Sequence, residues 1–254
     1  MNTDSTDQEM SLIEHLVELR NRLMRAMLAI LLATLALMPF SRQLYAWVAE
    51  PLMRHLPEGS SMIAIDVAAP FFTPFKLTMM MGVFLSIPVL IYQLWAFVAP
   101  GLYEKEKHLA KPLLVSSTLL FYAGCAFAYY VVFPVVFAFF TGMAPADVSV
   151  MTDISRYLDF ILTLFFAFGI AFEVPIAIII LVALGVMTPD ALAEKRPYVI
   201  VGAFAIGMLL TPPDMISQTL LAVPMWLLYE AGIVAARLLI RRDAGDDIAE
   251  ANSD

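Results

Sequence analysis

Long apolar runs separated by short polar segments are the dominant pattern along the chain. A helix of about 20 apolar residues, with a rise of ~1.5 Å per residue, crosses the ~30 Å hydrocarbon core of a bilayer. Six runs are predicted as such spans, at roughly 23–40, 77–98, 112–139, 157–184, 198–211 and 215–235. The pattern therefore predicts an all-α polytopic membrane protein with six transmembrane helices.

The last two predicted spans differ from the others in length and continuity. The fifth has only 13 residues between Tyr198 and Leu210, which as a helix reach ~20 Å. The T-P-P-D that follows at 211–214 cannot continue a helix, because consecutive prolines lack amide donors and restrict the preceding residue. Pro224 and Glu230 interrupt the sixth run. We expect the fifth and sixth spans to be short. Either the bilayer is locally thinner around them, or the predicted span boundaries are misplaced.

Positive charge divides the segments between the spans into two sets. Eleven Lys and Arg residues fall in one set of loops and tails, and four fall in the other. The positive-inside rule then places both termini in the cytoplasm. Residues 1–11 are polar and acidic, unlike the basic start of a cleaved leader. We expect a multi-pass protein of a bacterial inner membrane.

The composition agrees with a membrane domain flanked by polar ends. Of the 254 residues, 61% are hydrophobic and 15% are charged, against about half and about a quarter in soluble domains. The mean hydropathy is +0.82. The net charge of −8 includes many acidic residues near the two ends, where solvated tails explain it without a charged partner. The predicted organisation is a cytoplasmic segment with an amphipathic helix at 1–22, a membrane domain at 23–235, and a disordered acidic tail at 236–254.

The sequence lacks the common signatures of catalytic and nucleotide-binding sites. The patterns G-x-x-x-x-G-K-[ST], H-E-x-x-H and G-x-S-x-G are absent, and Cys125 is the only cysteine, which excludes these motif-based sites and an internal disulfide. We predict that the chain is not an enzyme and uses no cofactor, metal or nucleic acid. A proton-coupled carrier of small solutes is the alternative, with Glu173 and Glu230 titrating inside their spans.

Two charged segments beside predicted spans carry candidate chemistry. The first, S-L-I-E-H-L-V-E-L-R-N-R-L at 11–23, begins with an S-x-x-E capping box that predicts a helix start. Glu18 lies four residues before Arg22, so an ordinary i, i+4 ion pair also explains it. The second, W-A-F-V-A-P-G-L-Y-E-K-E-K-H-L-A-K-P at 95–112, has alternating charges that are typical of a solvated helix start.

Motifs along nearly the whole chain resemble the TatC family. They are H-L-V-E-L-R-N-R-L before the first span, M-I-A-I-D-V-A-A-P-F-F-T-P-F-K at 62–76, Y-Q-L-W-A-F-V-A-P-G-L-Y-x-x-E at 92–106, L-L-V-S-S-T-L-L-F-Y at 113–122, F-E-V-P at 172–175, K-R-P-Y at 195–198 and G-M-L-L-T-P-P-D at 207–214. The resemblance implies the core subunit of the twin-arginine translocase, which exports folded proteins across the bacterial inner membrane using the proton gradient. It further implies a concave wall of six helices, TatA-like and TatB-like single-span partners, and self-association in a receptor complex.

The resemblance also assigns roles to particular residues. It implies that Glu18 and Glu106 help to bind the paired arginines of a signal peptide. Arg20, Phe97 and Leu102 would frame that site. The chemistry is suitable, because a carboxylate accepts a planar guanidinium through two parallel hydrogen bonds, whereas lysine offers only a point charge.

A docking face for a partner helix is expected on the fifth and sixth spans. Polar groups near a membrane interface tend to find partners on neighbouring helices. The predicted face comprises Met208, Thr211, Asp214 and Gln218. We expect these positions to lie against a TatA-like or TatB-like span.

Glu173 lies near the middle of the fourth span, where a carboxylate is costly and usually has a function. Pro175 cannot donate to the carbonyl of Ala171, so the two residues predict a polar notch in an apolar wall. We expect the notch to face the concave side and to receive a polar group from a partner span. A protonated Glu173 bonded to a neighbouring helix is the alternative.

Overall fold

Helices make up nearly all of the chain that the structure describes. The computed structural model describes residues 3–55, 62–98, 110–142, 151–210 and 215–251. Among these residues, five helical stretches are long and apolar enough to cross a membrane: Leu16–Glu50, Ala69–Phe97, Lys111–Phe139, Ile154–Ala183 and Gln218–Leu238. Arg196–Leu209 is a shorter apolar helix. The prediction of an all-α polytopic membrane protein is confirmed.

Two compact units divide the chain, and the first comprises Met1–Val48 and Asp66–Leu114. Its first helix, α1, covers Thr3–Leu37 without interruption, because no glycine or proline occurs in that stretch. The predicted helix start at Ser11 is therefore wrong, since the helix begins eight residues earlier. The amphipathic segment predicted at 1–22 is continuous with the first span.

A short 3₁₀ turn at Met38–Phe40 joins α1 to helix α2, Ser41–His55. Pro39 is the second residue of this turn, and it lacks the amide donor that a continuing helix needs. Helix α3 then covers Ala69–Val98, so it begins eight residues before the predicted start of the second span at 77.

Helices α1 and α3 pack against each other in antiparallel register. A Cβ built on Gly82 would lie 3.0 Å from the Cα of Thr34, so the two backbones approach closely there. Met38 and Pro74 line one cleft farther along the pair. Residue numbers thus rise along α1 while they fall along α3, and the two helices run in opposite directions.

The second unit comprises Ala49–Ile65 and Val115–Asp254. The predicted third span consists of helix α4, Ala110–Phe127, a π-helical turn at Ala128–Val132, and helix α5, Phe133–Gly142. Pro134 lies two residues after the π turn, and a missing proline amide is a common cause of such local widening.

Two short strands in this unit pair in parallel and hold the start of the fourth span. Strand β1, Met62–Ile63, pairs with strand β2, Thr152–Asp153. Asp153 is the N-cap of helix α6, Ile154–Ala171, and accepts the backbone N–H groups of Ser155 and Arg156, each over 3.0 Å. Its second oxygen accepts the N–H of Ile65 over 3.0 Å. One carboxylate therefore connects the helix start to the segment after β1.

The fourth span is broken at the predicted defect. Helix α6 ends at Ala171, and helix α7 covers Val174–Ala183. Glu173 is the residue just before α7, and Pro175 occupies its first turn, where a missing amide costs least. A short helix α8, Pro189–Glu194, follows the span.

The last two helices differ from each other in length. Helix α9, Arg196–Leu210, has 15 residues and reaches ~22 Å, so the fifth span is short as predicted. Helix α10 covers Met215–Ala251, and its apolar stretch Gln218–Leu238 has 21 residues. The interruption predicted at Pro224 and Glu230 is absent, because the helix continues through both residues. The disorder expected at 236–254 stays a prediction, although the helix extends to residue 251.

Candidate functional site

Glu18 and Phe97 lie at the same end of the α1–α3 pair. Glu18 precedes Thr34 by 16 residues, and Phe97 follows Gly82 by 15, which along the helices are ~24 Å and ~23 Å. Because the pair is antiparallel and Thr34 lies against Gly82, these similar distances place both side chains at the same height along the helix axes. We call this region the Glu18 end of the pair.

Glu18 is held by a neighbour on its own helix. Arg22 Nε donates to Glu18 Oε1 over 3.1 Å, and Arg22 Nη2 donates to the same oxygen. The i, i+4 ion pair that the spacing allows is therefore present. The side chain of Glu18 is 41% exposed and that of Arg22 is 18% exposed, so the carboxylate is accessible to a ligand from solvent.

The other predicted residues of this site are placed only in part. Arg20 is exposed, and its Nη2 donates to Asn21 Oδ1 over 3.3 Å. Phe97 is half-buried near the last turn of α3. Leu102 and Glu106 lie outside the described residues, in the segment that directly follows α3. The structure thus brings Glu18, Arg20 and Phe97 to one end of a helix pair.

Gln93 is a residue at this end that the sequence reasoning missed. Its Oε1 is buried and has no hydrogen-bond partner within the described part of the chain. Gln93 follows Gly82 by 11 residues, which is about three helical turns, so it lies on the face of α3 that packs against α1. A buried acceptor without a donor is rare and often functional. One indication of its importance was available from the sequence, namely that a neutral polar residue occurs within an apolar span.

Glu173 is bonded to a neighbouring helix of its own unit. Ser117 Oγ, on α4, donates to Glu173 Oε2. Glu173 Oε1 is buried and has no hydrogen-bond partner among the described residues. The predicted notch therefore exists as a helix break with a carboxylate, one oxygen of which is bonded within the chain.

Glu230, the second carboxylate inside a span, forms an ion pair. Arg196 Nε donates to Glu230 Oε1 over 2.5 Å, and Arg196 Nη2 donates to Oε2 over 2.8 Å. This two-point pair connects the start of α9 to α10. Arg237 also pairs with Asp190 of α8 over 2.9 Å, and Tyr229 donates to the carbonyl of Leu192 over 2.8 Å. These contacts fix α8 and α9 against α10.

Two residues of the predicted docking face are described. Met208 is 54% exposed on α9. Gln218 is half-buried on α10, and its Nε2 donates to the carbonyl of Phe204 over 2.8 Å, so this amide connects α9 to α10. Thr211 and Asp214 lie outside the described residues.

Comparisons with known proteins agree with the fold. The family model described as Sec-independent protein translocase protein (TatC) matches residues 14–224. A Sec-independent protein translocase protein TatC from Azotobacter chroococcum mcd 1 is 58% identical over 90% of this chain and 89% of its own. That from Haemophilus influenzae is 56% identical over 98% of this chain and 97% of its own.

A solved structure shows the same fold. The crystal structure of a twin arginine translocase receptor, TatC, superimposes with a TM-score of 0.79 and 38% identity, and covers 88% of this chain and 98% of that chain. The chain therefore belongs to the TatC family of Sec-independent protein translocase proteins.

Proposed function

We propose that this chain is the signal-peptide receptor and core subunit of a twin-arginine translocase. It binds the signals of folded proteins at the cytoplasmic face of a bacterial inner membrane. With TatA-like and TatB-like single-span partners it moves them across, driven by the proton gradient. It has six spans and both termini in the cytoplasm, which places the Glu18 end on the cytoplasmic side.

The observation that carries this proposal is the placement of Glu18, Arg20 and Phe97 at one end of the α1–α3 pair. Leu102 and Glu106 follow Phe97 by five and nine residues in the sequence, and we propose that Glu106 contributes the second carboxylate. Two carboxylates held on one surface suit two guanidinium groups, since each accepts a planar pair of N–H donors. Gln93 Oε1 adds a buried acceptor at this end.

Binding of the signal requires an exchange at Glu18. The carboxylate already accepts two donors of Arg22, so a signal arginine replaces an existing guanidinium. The exchange keeps the charge of the site balanced while it changes which chain supplies the cation. A lysine makes a poorer substitute, because its ammonium group cannot reproduce the two parallel hydrogen bonds.

Peptide binding to the purified receptor tests this assignment. A peptide with paired arginines should bind the wild type, and Glu18→Gln and Glu106→Gln should each weaken binding at least tenfold, because a hydrogen bond to a charged group contributes about 1.5–3 kcal/mol. The matched control is Glu194→Gln, which removes an exposed carboxylate at the end of α8. Equal binding of all three variants, or equal affinity for a paired-lysine peptide, would rule out the site.

Cysteine crosslinking tests the proposed docking face. A cysteine at Met208, which is exposed on α9, should crosslink to a TatA-like or TatB-like span in membranes. A cysteine at Leu28, 55% exposed on the first span, is the control. We expect a weaker crosslink from Gln218, because its amide is used within the chain. Crosslinks from Leu28 without any from Met208 would show that the face lies elsewhere.

The alternative of a small-solute carrier has weaker support. A proton-coupled carrier needs carboxylates that gain and lose a proton during transport. Glu230 is fixed in a two-point ion pair in which both of its oxygens accept from Arg196. Membership in a family of protein translocases also favours a protein cargo.

A further inference from the structure

We propose that a cleft at the opposite end of the α1–α3 pair from Glu18 binds one anionic phospholipid. The cleft lies within the first unit and has a volume of about 480 Å³, within the range of small-molecule sites. We call it the Arg42 cleft. It is lined by Met38, Ser41, Arg42, Pro70, Phe71, Pro74 and Phe75.

The position of the Arg42 cleft along the helices corresponds to the depth of lipid headgroups. The apolar run of the first span ends at Phe40, and Arg42 follows two residues later. Trp47, one helical turn beyond, is 69% exposed, and tryptophans are enriched where a membrane meets water. The cleft thus opens at the boundary between the hydrocarbon core and the aqueous phase.

The cleft has one cationic wall and one apolar wall. Arg42 is exposed and makes no hydrogen bond or ion pair with any other residue in the described ranges, and a guanidinium binds phosphate through two parallel hydrogen bonds. Ser41 also lines the cleft. On the facing helix, the rings of Phe71 and Phe75 stack with centroids 6.5 Å apart and planes inclined by 7°. They provide an apolar surface suited to an acyl chain.

These two walls decide between the candidate occupants. A free phosphate would pair with Arg42 and leave the phenylalanine rings in water. An apolar helix from a partner would cover the rings and bury the guanidinium without a counter-charge, which is costly. An anionic phospholipid satisfies both walls, with its phosphate on Arg42 and an acyl chain against Phe71 and Phe75.

Native mass spectrometry of the detergent-purified chain, titrated with phosphatidylglycerol, tests the proposal. The wild type should retain one phosphatidylglycerol, and Arg42→Gln should need about tenfold more lipid for the same occupancy, since a charged hydrogen bond is lost. Arg42→Lys should fall between them, because it keeps the charge without the two-point geometry. The matched control is Arg156→Gln, another exposed arginine beside the start of a span, which should bind lipid as the wild type does.

Three results would overturn the proposal. One is equal retention by Arg42→Gln and Arg156→Gln, which would assign the lipid to the general surface. Another is equal retention of zwitterionic phosphatidylcholine, which would exclude recognition of charge. The third is displacement of the lipid by inorganic phosphate at equal concentration, which would identify a simple anion site. Arg42 is exposed, so the variants should fold, and their unchanged melting temperatures check this.

Discussion

Arg22 directs two donors at a single oxygen of Glu18. Its Nε lies 3.1 Å from Glu18 Oε1, and its Nη2 bonds to the same atom. The family motif that contains both residues therefore supplies the proposed signal receptor with an arginine already bound to the carboxylate. Signal binding then depends on how strongly this internal arginine is held.

Removal of this internal arginine should increase the affinity for a signal peptide. Exposed ion pairs contribute about 0.2–1 kcal/mol, so Arg22→Gln should bind a paired-arginine peptide about two- to fivefold more tightly. Isothermal titration or fluorescence anisotropy measures the change. Arg25→Gln is the control, because Arg25 is exposed on the same helix and carries the same charge. If both variants gain equally, the effect is general electrostatics, and competition at Glu18 is excluded.

Replacement of Gln93 should stabilise the fold and weaken signal binding. Its Oε1 is buried without a donor among the described residues, and such an atom costs about 1–3 kcal/mol of desolvation. Gln93→Leu removes that cost, so the melting temperature in detergent should rise by a few degrees. Peptide affinity should fall severalfold, since the proposed acceptor is lost. A more stable variant with unchanged affinity would assign Gln93 no part in the site.

The sequence was sufficient to predict the helical membrane fold and much less to predict where individual helices end. The apolar runs determine the spans, because a bilayer tolerates few other structures. The capping box at Ser11 misled the prediction, since a local cap is worth about 1 kcal/mol and no glycine or proline in the residues before it ends the helix. Pro224 misled it as well, because neighbouring helices can stabilise a proline inside a span.

The site residues, too, could be predicted from the sequence only in part. Glu18 and Phe97 were found through a family motif, but only the packing of Thr34 against Gly82 shows that they lie at one end of a helix pair. The pairing of Glu173 with Ser117 joins residues 56 apart in sequence, and no local pattern reports such a contact. Gln93 was missed because it is distinguished by a buried oxygen without a hydrogen-bond donor among the described residues. Only the packed structure shows this feature.

The close contact between α10 and α7 should not tolerate a side chain at Gly232. A Cβ there would lie 2.9 Å from the backbone Cα of Pro175 and 2.6 Å from Ile178 Cδ1. Gly232→Ala should destabilise the protein by about 1–3 kcal/mol, as overpacking does. Gly202→Ala is the control, because nothing lies within 4 Å of its added Cβ, and alanine favours a helix. Thermal unfolding in detergent compares the two, and equal melting temperatures would contradict the contact.

Asp153 should make the junction of β1 and α6 sensitive to acid. Backbone N–H groups of Arg156, Ile65 and Ser155 bond to its carboxylate and lower its pKa below the usual range. The stabilisation is therefore complete above the unfolded pKa of about 3.9 and is lost as the pH falls through the lower folded pKa.

Asp153→Asn provides the test of that linkage. Asparagine keeps one acceptor oxygen for the N–H groups of Ser155 and Arg156, but the NH2 group in place of the second oxygen cannot accept the N–H of Ile65. The variant should therefore melt earlier than the wild type at pH 7, and the difference should shrink below about pH 4. Asp66→Asn is the control, because Asp66 is exposed and its carboxylate accepts the nearby N–H of Ala68, over 3.1 Å. A melting difference that stays constant down to pH 2 would show that the charge of Asp153 is irrelevant to stability.

Variants of Glu173 and Ser117 show whether the break in the fourth span acts within the chain or binds a partner. Ser117 bonds to one oxygen, while the other is buried without a partner in the described residues. We expect that second oxygen to receive a polar group from a partner span. Export of a folded twin-arginine reporter should then fall in the order Glu173→Gln, Glu173→Ala and Glu173→Leu. Glutamine keeps an acceptor, alanine removes it, and leucine fills the notch with apolar atoms.

Ser117→Ala separates the two roles of the carboxylate. It removes the donor on α4 and leaves Glu173 available to a partner, so export should fall less than with Glu173→Leu. If Ser117→Ala and Glu173→Leu lose export equally, the carboxylate acts through its bond between α4 and the break, and no partner group is needed. Full export with leucine at 173, at unchanged protein level, would show that neither role matters. The order of export activity among these variants therefore shows whether the notch acts within the chain or at an interface with a partner.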